Sequence, residues 1–307
     1  MAGRFVGAPS AVAASNTPER SRSLKSPVAR LPRIFVPGFA GAGTHRSGVV
    51  SGSGAPKRVS REWWASYFDV HYLLEYEPIF SLERDRREVA RLIEVLALPV
   101  GSRILDVPCG HGRHAHLLAE GGFDVDGLDY SKDLLDRAKA RGTGPTLRYT
   151  RGDMRQLPAK WRGRFDAVVN LFTSFGFFLD PADDARVIGE FARVLKPGGV
   201  LVWHGGSRDG IMARFLHRDW WRTNDGTFVS HERRFDPLSG VLTVYSSWTG
   251  PSGAGEREHR IRLYTATRLA ELCAGAGLII EQAYDGWRDR PLRRRSTEML
   301  LVARRGG

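Results

Sequence analysis

Apolar and polar positions along residues 61–307 follow two periods in turn. Val89, Leu92, Ile93 and Leu96 recur at three- and four-residue spacing behind Ser81, a good capping residue, and predict a helix over 82–96. The aromatic-dense stretch 61–76, with Trp63, Trp64, Tyr67, Phe68, Tyr72 and Tyr76, predicts a second helix before it. Arg103 to Val107 is a short apolar run that reads as a buried strand, and a glycine turn leads from it into a helix from Gly112 to Ala119. The alternation continues as strand 123–128, helix 131–141, strands 146–150 and 165–172, helix 181–195 and strand 200–204. Strands that take turns with helices pair in parallel and are covered on both faces, so the expected class is α/β. The sheet is expected to be doubly wound, mostly parallel and seven-stranded.

After His204 the rhythm changes. Residues 227–235 and 241–248 flank the turn-forming run Asp236-Pro237-Leu238-Ser239-Gly240, and 256–264 is a third extended stretch. This predicts an antiparallel insertion over about 205–264. A helix near 267–274 and strands 278–284 and 297–303 then close the domain. No internal repeat and no second core separates off, so 61–307 reads as one domain.

Composition changes the picture at the start of the chain. The net charge is +12, yet residues 1–60 hold nine bases and a single acid, Glu19, and more than half of them are Ala, Ser, Gly or Pro. Such a segment buries too little apolar surface to offset its ordering entropy, so an N-terminal extension without stable structure is expected. Being rich in Arg and Ser and nearly free of acids, it has the texture of an organelle transit peptide; a translated upstream region has the same texture. Its bases are not interleaved with aromatics, which argues against a nucleic-acid-binding arm. No apolar run reaches the roughly 18 residues of a membrane helix, so a soluble protein without a membrane partner is expected. The two cysteines, Cys109 and Cys273, make no disulfide framework and no CxxC metal motif, which suits a reducing cytoplasm, or an organelle if residues 1–60 are a transit peptide.

Candidate chemistry enters at the end of the first strand. Asp106-Val107-Pro108-Cys109-Gly110-His111-Gly112 ends a strand and opens a helix, where glycines let a ligand approach the main chain and its N–H donors. Asp129 closes the second strand, where a carboxylate can accept from both hydroxyls of a ribose. Residues 110–115 also satisfy the G-x-G-x-x-A form of the dinucleotide fingerprint, so a nicotinamide enzyme must be weighed. Three further runs have no role in that reading: Gly152-Asp153-Met154-Arg155-Gln156-Leu157-Pro158, Phe165-Asp166-Ala167-Val168-Val169-Asn170, and Val194-Leu195-Lys196-Pro197-Gly198-Gly199.

In this order and spacing the four runs resemble the class I S-adenosylmethionine-dependent methyltransferases, across about residues 100–204. The nearest likeness is to small-molecule members that include the sugar N-methyltransferases, which share the Gly-Asp-Met-Arg run, the run standing here as Phe172-Thr173-Ser174-Phe175-Gly176-Phe177, and an antiparallel lid. The resemblance implies S-adenosyl-L-methionine as cofactor, with Asp106 and the backbone of Cys109, Gly110, His111 and Gly112 at its methionyl end. Asp129 would hold the ribose, with Tyr130 beside the adenine. Asp153 would accept from the adenine amino group, Met154 would complete the base pocket, and Asn170 and Leu171 would face the sulfonium. Pro108 departs from the glycine often found there and leaves one donor fewer. The resemblance also implies that the helix around Trp63 to Tyr76 closes over the cofactor; ordinary core packing is the alternative.

His204, at the end of the fifth strand, is the best-placed candidate base for an alcohol or phenol acceptor, with a structural histidine as the competing reading and His71 a weaker choice. His111, His114 and His116 invite a metal reading, but no carboxylate or Cys pattern completes a tetrahedral set, so no metal is expected. The basic run Arg288, Arg290, Arg293, Arg294, Arg295 reads as a solvated loop. Trp220, Trp221, Tyr245 and Trp248 on the insertion are expected to wall an acceptor pocket too narrow for a duplex or a folded protein. The expected function is methyl transfer to nitrogen or oxygen of a small organic metabolite. The alternatives are an rRNA or tRNA methyltransferase and a non-catalytic cofactor-binding protein. Asn170-Leu171-Phe172-Thr173 departs from the Asn/Asp-Pro-Pro-Tyr/Phe run of amino-methylating nucleic-acid enzymes.

Overall fold

The computed structural model describes residues 62–251 and 253–307; the expectation for residues 1–60 lies outside the described residues. Two short helices, α1 (Trp64–Tyr67) and α2 (Val70–Tyr76), replace the single one expected over 61–76. They lead through a 3-10 turn to α3 (Leu82–Leu96), where Ser81 Oγ accepts from the Arg84 amide at 3.2 Å, the cap anticipated from the sequence.

The sheet is built from β1 (Arg103–Asp106), β2 (Asp124–Asp129), β3 (Leu147–Arg151), β4 (Phe165–Asn170), β5 (Leu195–Gly206), β10 (Leu278–Tyr284) and β11 (Glu298–Arg305). Their order is β10-β11-β5-β4-β1-β2-β3. The first five pair in parallel, while β11 runs antiparallel to both β5 and β10. The helices between them are α4 (Arg113–Glu120), α5 (Lys132–Arg141), α6 (Pro181–Val194) and α8 (Ala266–Gly275). Alternate residues of each strand enter different cores: Ile104 packs with Leu92, Leu96 and Leu118 of α3 and α4, while Leu105 packs with the α6 residues Ile188 and Phe191. This is the doubly wound, mostly parallel seven-stranded sheet expected. The carboxyl ends of β1, β2 and β4 meet at one edge, with Asp106 in register with Gly127 and Val169.

Between β5 and α8 lie a short helix α7 (Arg208–Met212) and a four-stranded antiparallel sheet of β6 (Arg218–Arg222), β7 (Phe228–Asp236), β8 (Val241–Gly250) and β9 (Gly253–Arg262) in sequential order. β6 was not foreseen, because Arg-Asp-Trp-Trp-Arg does not alternate cleanly between apolar and polar. The lid packs on Phe177 through Leu242, Val244, Ile261 and Leu263. The Arg262 amide also donates to Gly176 O at 2.7 Å, and at Gly176 (φ +93°) a Cβ would stand 2.4 Å from Arg262 O, so this crossing admits only glycine. Among the described residues no helix is long and apolar enough to cross a membrane.

Candidate functional site

A cavity opens at the carboxyl edge of β1, β2 and β4, enclosing about 890 Å³ of empty space that includes its open mouth. One side is the sheet edge: Asp106, Pro108 to His111, Asp129 to Ser131, Gly152 to Met154, and Leu171. The facing side is aromatic: Trp64, Phe68, Tyr72, Phe80, Phe172, Phe177 and Phe178. Of the residues anticipated at the cofactor, the structure brings Asp106, Cys109, Gly110, His111, Asp129, Tyr130, Asp153, Met154 and Leu171 to this one cavity. Gly112, Asn170 and His204 are not among its lining residues.

Each of those three has another task. At Gly112 (φ +76°) a Cβ would stand 2.5 Å from the Tyr149 hydroxyl and 2.9 Å from Ala138 Cβ, so glycine there permits helix α4 to start against β3 and α5. Asn170 is fully buried, and its Nδ2 donates to Val107 O at 2.8 Å, tying the end of β4 to the end of β1. His204, the candidate base, is fully buried, its Nδ1 accepts from the Phe172 amide at 3.3 Å, and its ring lies 4.6 Å from that of Trp287. With the Thr173 amide donating to His204 O at 3.1 Å, this residue fixes a turn in which both Phe172 (φ +59°) and Thr173 (φ +60°) are left-handed. That conformation costs a non-glycine residue energy and persists where surrounding bonds impose it.

The two aspartates differ in a way that matters for a ligand. Asp129 Oδ2 accepts from the Gly110 amide and Oδ1 from the Ser131 amide, each at 2.8 Å. Burial raises its carboxyl to about 6 against the pull of those backbone donors. It therefore holds the glycine loop while each oxygen keeps a lone pair for a further donor. Asp106 is 1% exposed and neither oxygen completes a hydrogen bond. Burial pushes it up to about 8, with Asp129 adding repulsion and Arg113 and the Ala115 amide pulling the other way. A buried carboxylate whose oxygens complete no hydrogen bond is costly in a folded protein and suits a cationic or hydrogen-bonding ligand.

Around them, Tyr130 packs edge-on against Trp64 at 4.9 Å, and Met154 is buried between cavity and core. Asp153 is held by Arg155, whose Nη2 donates to Oδ2 at 2.7 Å, and that guanidinium lies over Trp64 and Phe178. Burial pushes the Cys109 thiol well up, so it stays protonated. Burial, with Arg141 and Arg113 next, lowers His111 to about 3 and keeps its imidazole neutral.

The three histidines once weighed as metal ligands are dispersed. His111 stacks on Phe80 at 5.0 Å, His116 pairs with Glu120 at 3.3 Å, and His114 Nε2 meets Glu88 Oε2 at 2.8 Å. Asp85, Glu88 and His114 do bring ligand atoms within 4.8 Å of one another, but Arg113 Nη1 already occupies the two carboxylates, at 2.5 Å from Asp85 and 2.8 Å from Glu88.

The aromatics of the lid do not wall the cavity. Trp220 and Tyr245 are exposed, at 53% and 37%, while Trp221 Nε1 donates to Glu75 O and Trp248 stacks on His71. The lid instead presses α1, α2 and the 172–178 segment into place, and these carry the aromatic wall. The density of aromatics between Trp63 and Tyr76 was the sequence signal for that wall. Phe80, Phe178 and Arg113 had no such signal, because their neighbours in the cavity come from distant parts of the chain.

Residues 104–199 match the methyltransferase domain family. The chain is 35% identical over 222 residues to the dTDP-3-amino-3,4,6-trideoxy-alpha-D-glucopyranose N,N-dimethyltransferase of Streptomyces venezuelae, a match that covers 68% of this chain and 90% of that protein. It is also 35% identical over 131 residues to a glycine/sarcosine N-methyltransferase of Halorhodospira halochloris, covering 42% of this chain and about half, 49%, of that relative's length. Among solved structures, the SAM-bound amino pentose methyltransferase of Micromonospora echinaspora superposes with a TM-score of 0.56 at 26% identity, over 78% of this chain and 98% of that one. The chain belongs to the class I S-adenosylmethionine-dependent methyltransferases. S-adenosylmethionine is the cofactor of that family.

Proposed function

We propose that this protein methylates a nitrogen of a small organic metabolite, binding S-adenosylmethionine in the aromatic-walled cavity. The observation that carries the reading is Asp106, a buried carboxylate that lines the cavity and whose oxygens complete no hydrogen bond. Its charge is complementary to the ammonium of the methionyl end. The free lone pairs of Asp129 suit two ribose hydroxyls, and Tyr130 and Met154 supply flat, polarisable surface for the adenine. When bound, the cofactor supplies a methyl group already activated by the adjoining sulfonium charge. The chain's own work is to align an acceptor and keep water out, which the facing aromatic wall does while favouring a cation at its π-faces.

Nitrogen is favoured over oxygen by what lines the cavity. A neutral amine already carries the attacking lone pair, whereas an alcohol or phenol benefits from a base that removes its proton. His204 lies outside the cavity lining, and the neutral His111, lowered to about 3, is too weak a base for that task. Both relatives quoted above are named for N-methylation. A concave site lined on one side by aromatic rings suits a small molecule rather than a duplex or a folded protein. The two buried free thiols, Cys109 and Cys273, suit the cytoplasm.

Calorimetric titration with S-adenosylhomocysteine tests the cofactor half of this reading. Asp129→Ala removes a charged acceptor and the anchor of the Gly110 amide, so affinity is expected to fall about 10- to 100-fold, the equivalent of roughly 1.5–3 kcal/mol. Unchanged affinity would remove Asp129 from the site. Radiolabelled methyl transfer to a panel of amines, phenols, tRNA and DNA tests the acceptor half, with turnover expected on amines.

A further inference from the structure

We propose that Arg113 is the receptor for the α-carboxylate of the bound methionyl group, and that with Asp106 it reads the zwitterion at two points. The inference rests on the cofactor reading given above. Arg113 lines the cavity and is 6% exposed. Its Nη1 is spent on Asp85 and Glu88, yet its Nη2 is buried with no hydrogen-bond partner. Asp106, which lines the same cavity, is the carboxylate whose two oxygens are also unpartnered. One unsatisfied buried anion and one unsatisfied buried donor of positive charge share a single cavity. An α-amino acid presents the opposite pattern, an ammonium and a carboxylate on neighbouring carbons.

The surroundings leave Arg113 available for this task. Arg84 Nε donates to Glu88 Oε1 at 2.7 Å, so the cluster holds two guanidinium groups, Arg84 and Arg113, against the two carboxylates Asp85 and Glu88. Burial and the Arg113 charge keep His114 neutral by lowering it to about 4. The cluster thus carries no net charge, and an incoming carboxylate meets no excess of negative charge. The guanidinium plane is fixed by Phe172 at 4.9 Å and Phe80 at 5.5 Å, so little side-chain entropy remains to be lost on binding. Helix α4 begins at Arg113 with Gly112 as its cap, and no side chain caps it.

The test compares three ligands by calorimetry on the whole chain: S-adenosylhomocysteine, its decarboxylated analogue, and 5′-methylthioadenosine, which lacks the amino-acid end. The wild-type protein is expected to prefer S-adenosylhomocysteine to the decarboxylated analogue by tenfold or more. Arg113→Gln is expected to abolish that preference and to leave 5′-methylthioadenosine affinity within twofold, while Arg113→Lys keeps part of the preference. Equal wild-type affinity for the first two ligands overturns the proposal, and so does an Arg113→Gln loss that is the same for all three. If Arg113→Gln does not fold, the wild-type ligand series and Arg113→Lys decide. Failure of the wild-type protein to bind any of the three would instead overturn the cofactor reading itself.

Discussion

A single side chain, the buried Asp106, sets a stability cost for the ligand-free protein. Its carboxyl ionises near 8 in the free protein, raised by burial from an ordinary value near 4. Because the folded pKa lies above the unfolded one, the folded state binds the extra proton between about pH 4 and 8, and stability falls as the pH rises through that window. A ligand ammonium reverses the balance by favouring the ionised form. Affinity for S-adenosylhomocysteine is therefore expected to rise from pH 6.5 to 8, by at most about tenfold per unit. Asp106→Asn should flatten this slope, weaken binding, and raise the melting temperature of the ligand-free protein at pH 8.5. A variant that keeps the slope would assign the proton to another group. His204 makes the opposite case, a polar residue absorbed by structure. His204→Ala is expected to lower stability by about 2–4 kcal/mol, through a buried void and the loss of the acceptor for the Phe172 amide. The pH profile of kcat should keep its shape; a collapse of kcat with an unchanged melting temperature would restore the histidine as a base.

At the scale of elements, the site depends on how β1 hands over to α4. The chain leaves Asp106, passes Cys109 and Gly110 under Asp129, and turns into the helix at Gly112, where β3 and α5 leave no room for a side chain. Gly112→Ala must both strain a left-handed residue and displace Tyr149 or Ala138. A destabilisation of about 1–3 kcal/mol is expected, read as a lower melting temperature, with a weaker response to S-adenosylhomocysteine. A fully stable Gly112→Ala protein would mean that the helix can start elsewhere. The turn at Phe172 and Thr173 is the equivalent device after β4, bent by its bonds to His204 so that Phe172 packs beside Phe80 in the aromatic wall, ring centroids 5.6 Å apart.

Over the whole domain, the aromatic wall is only as firm as the lid behind it. Glu75 on α2 is 5% exposed and meets His231 of β7 at 2.8 Å and Arg257 of β9. Arg257 lies over the ring of Tyr67 at 4.1 Å and donates to Tyr67 O, while Arg233 links His231 to Asp219 on β6. Burial opposes ionisation of Glu75, but His231 and Arg257 outweigh it and hold the carboxyl below its usual range. Removing one partner of such a buried set leaves an uncompensated charge, at about 3–5 kcal/mol. Arg257→Ala is accordingly expected to speed amide hydrogen exchange across 64–76 and to shorten the residence of bound S-adenosylhomocysteine, although Arg257 is not among the residues that line the cavity. Exchange in 64–76 that matches the wild type would show that the lid does not brace this wall.

What the sequence determined by itself was everything set by short-range spacing. Period and capping placed α3, the βα alternation and the hairpin around Gly240, and the ordered runs at Asp106–Gly112, Asp129, Gly152–Pro158 and Val194–Gly199 marked the edge where a cofactor would lie. Such features follow from the local conformational preferences of a few consecutive residues, so they are legible in one chain. Only the tertiary structure decided which side chains face the cavity. Leu171 turns in while the adjacent Asn170 turns into the core, and His204 is a support behind the cavity wall. The lid tryptophans, expected in the pocket, dock or face outward, and Arg113 meets Asp85 and Glu88 from 28 and 25 positions away. The lock of Glu75 on Arg257 spans 182 positions. Contacts of this kind arise from the mutual packing of elements, and no local period encodes them.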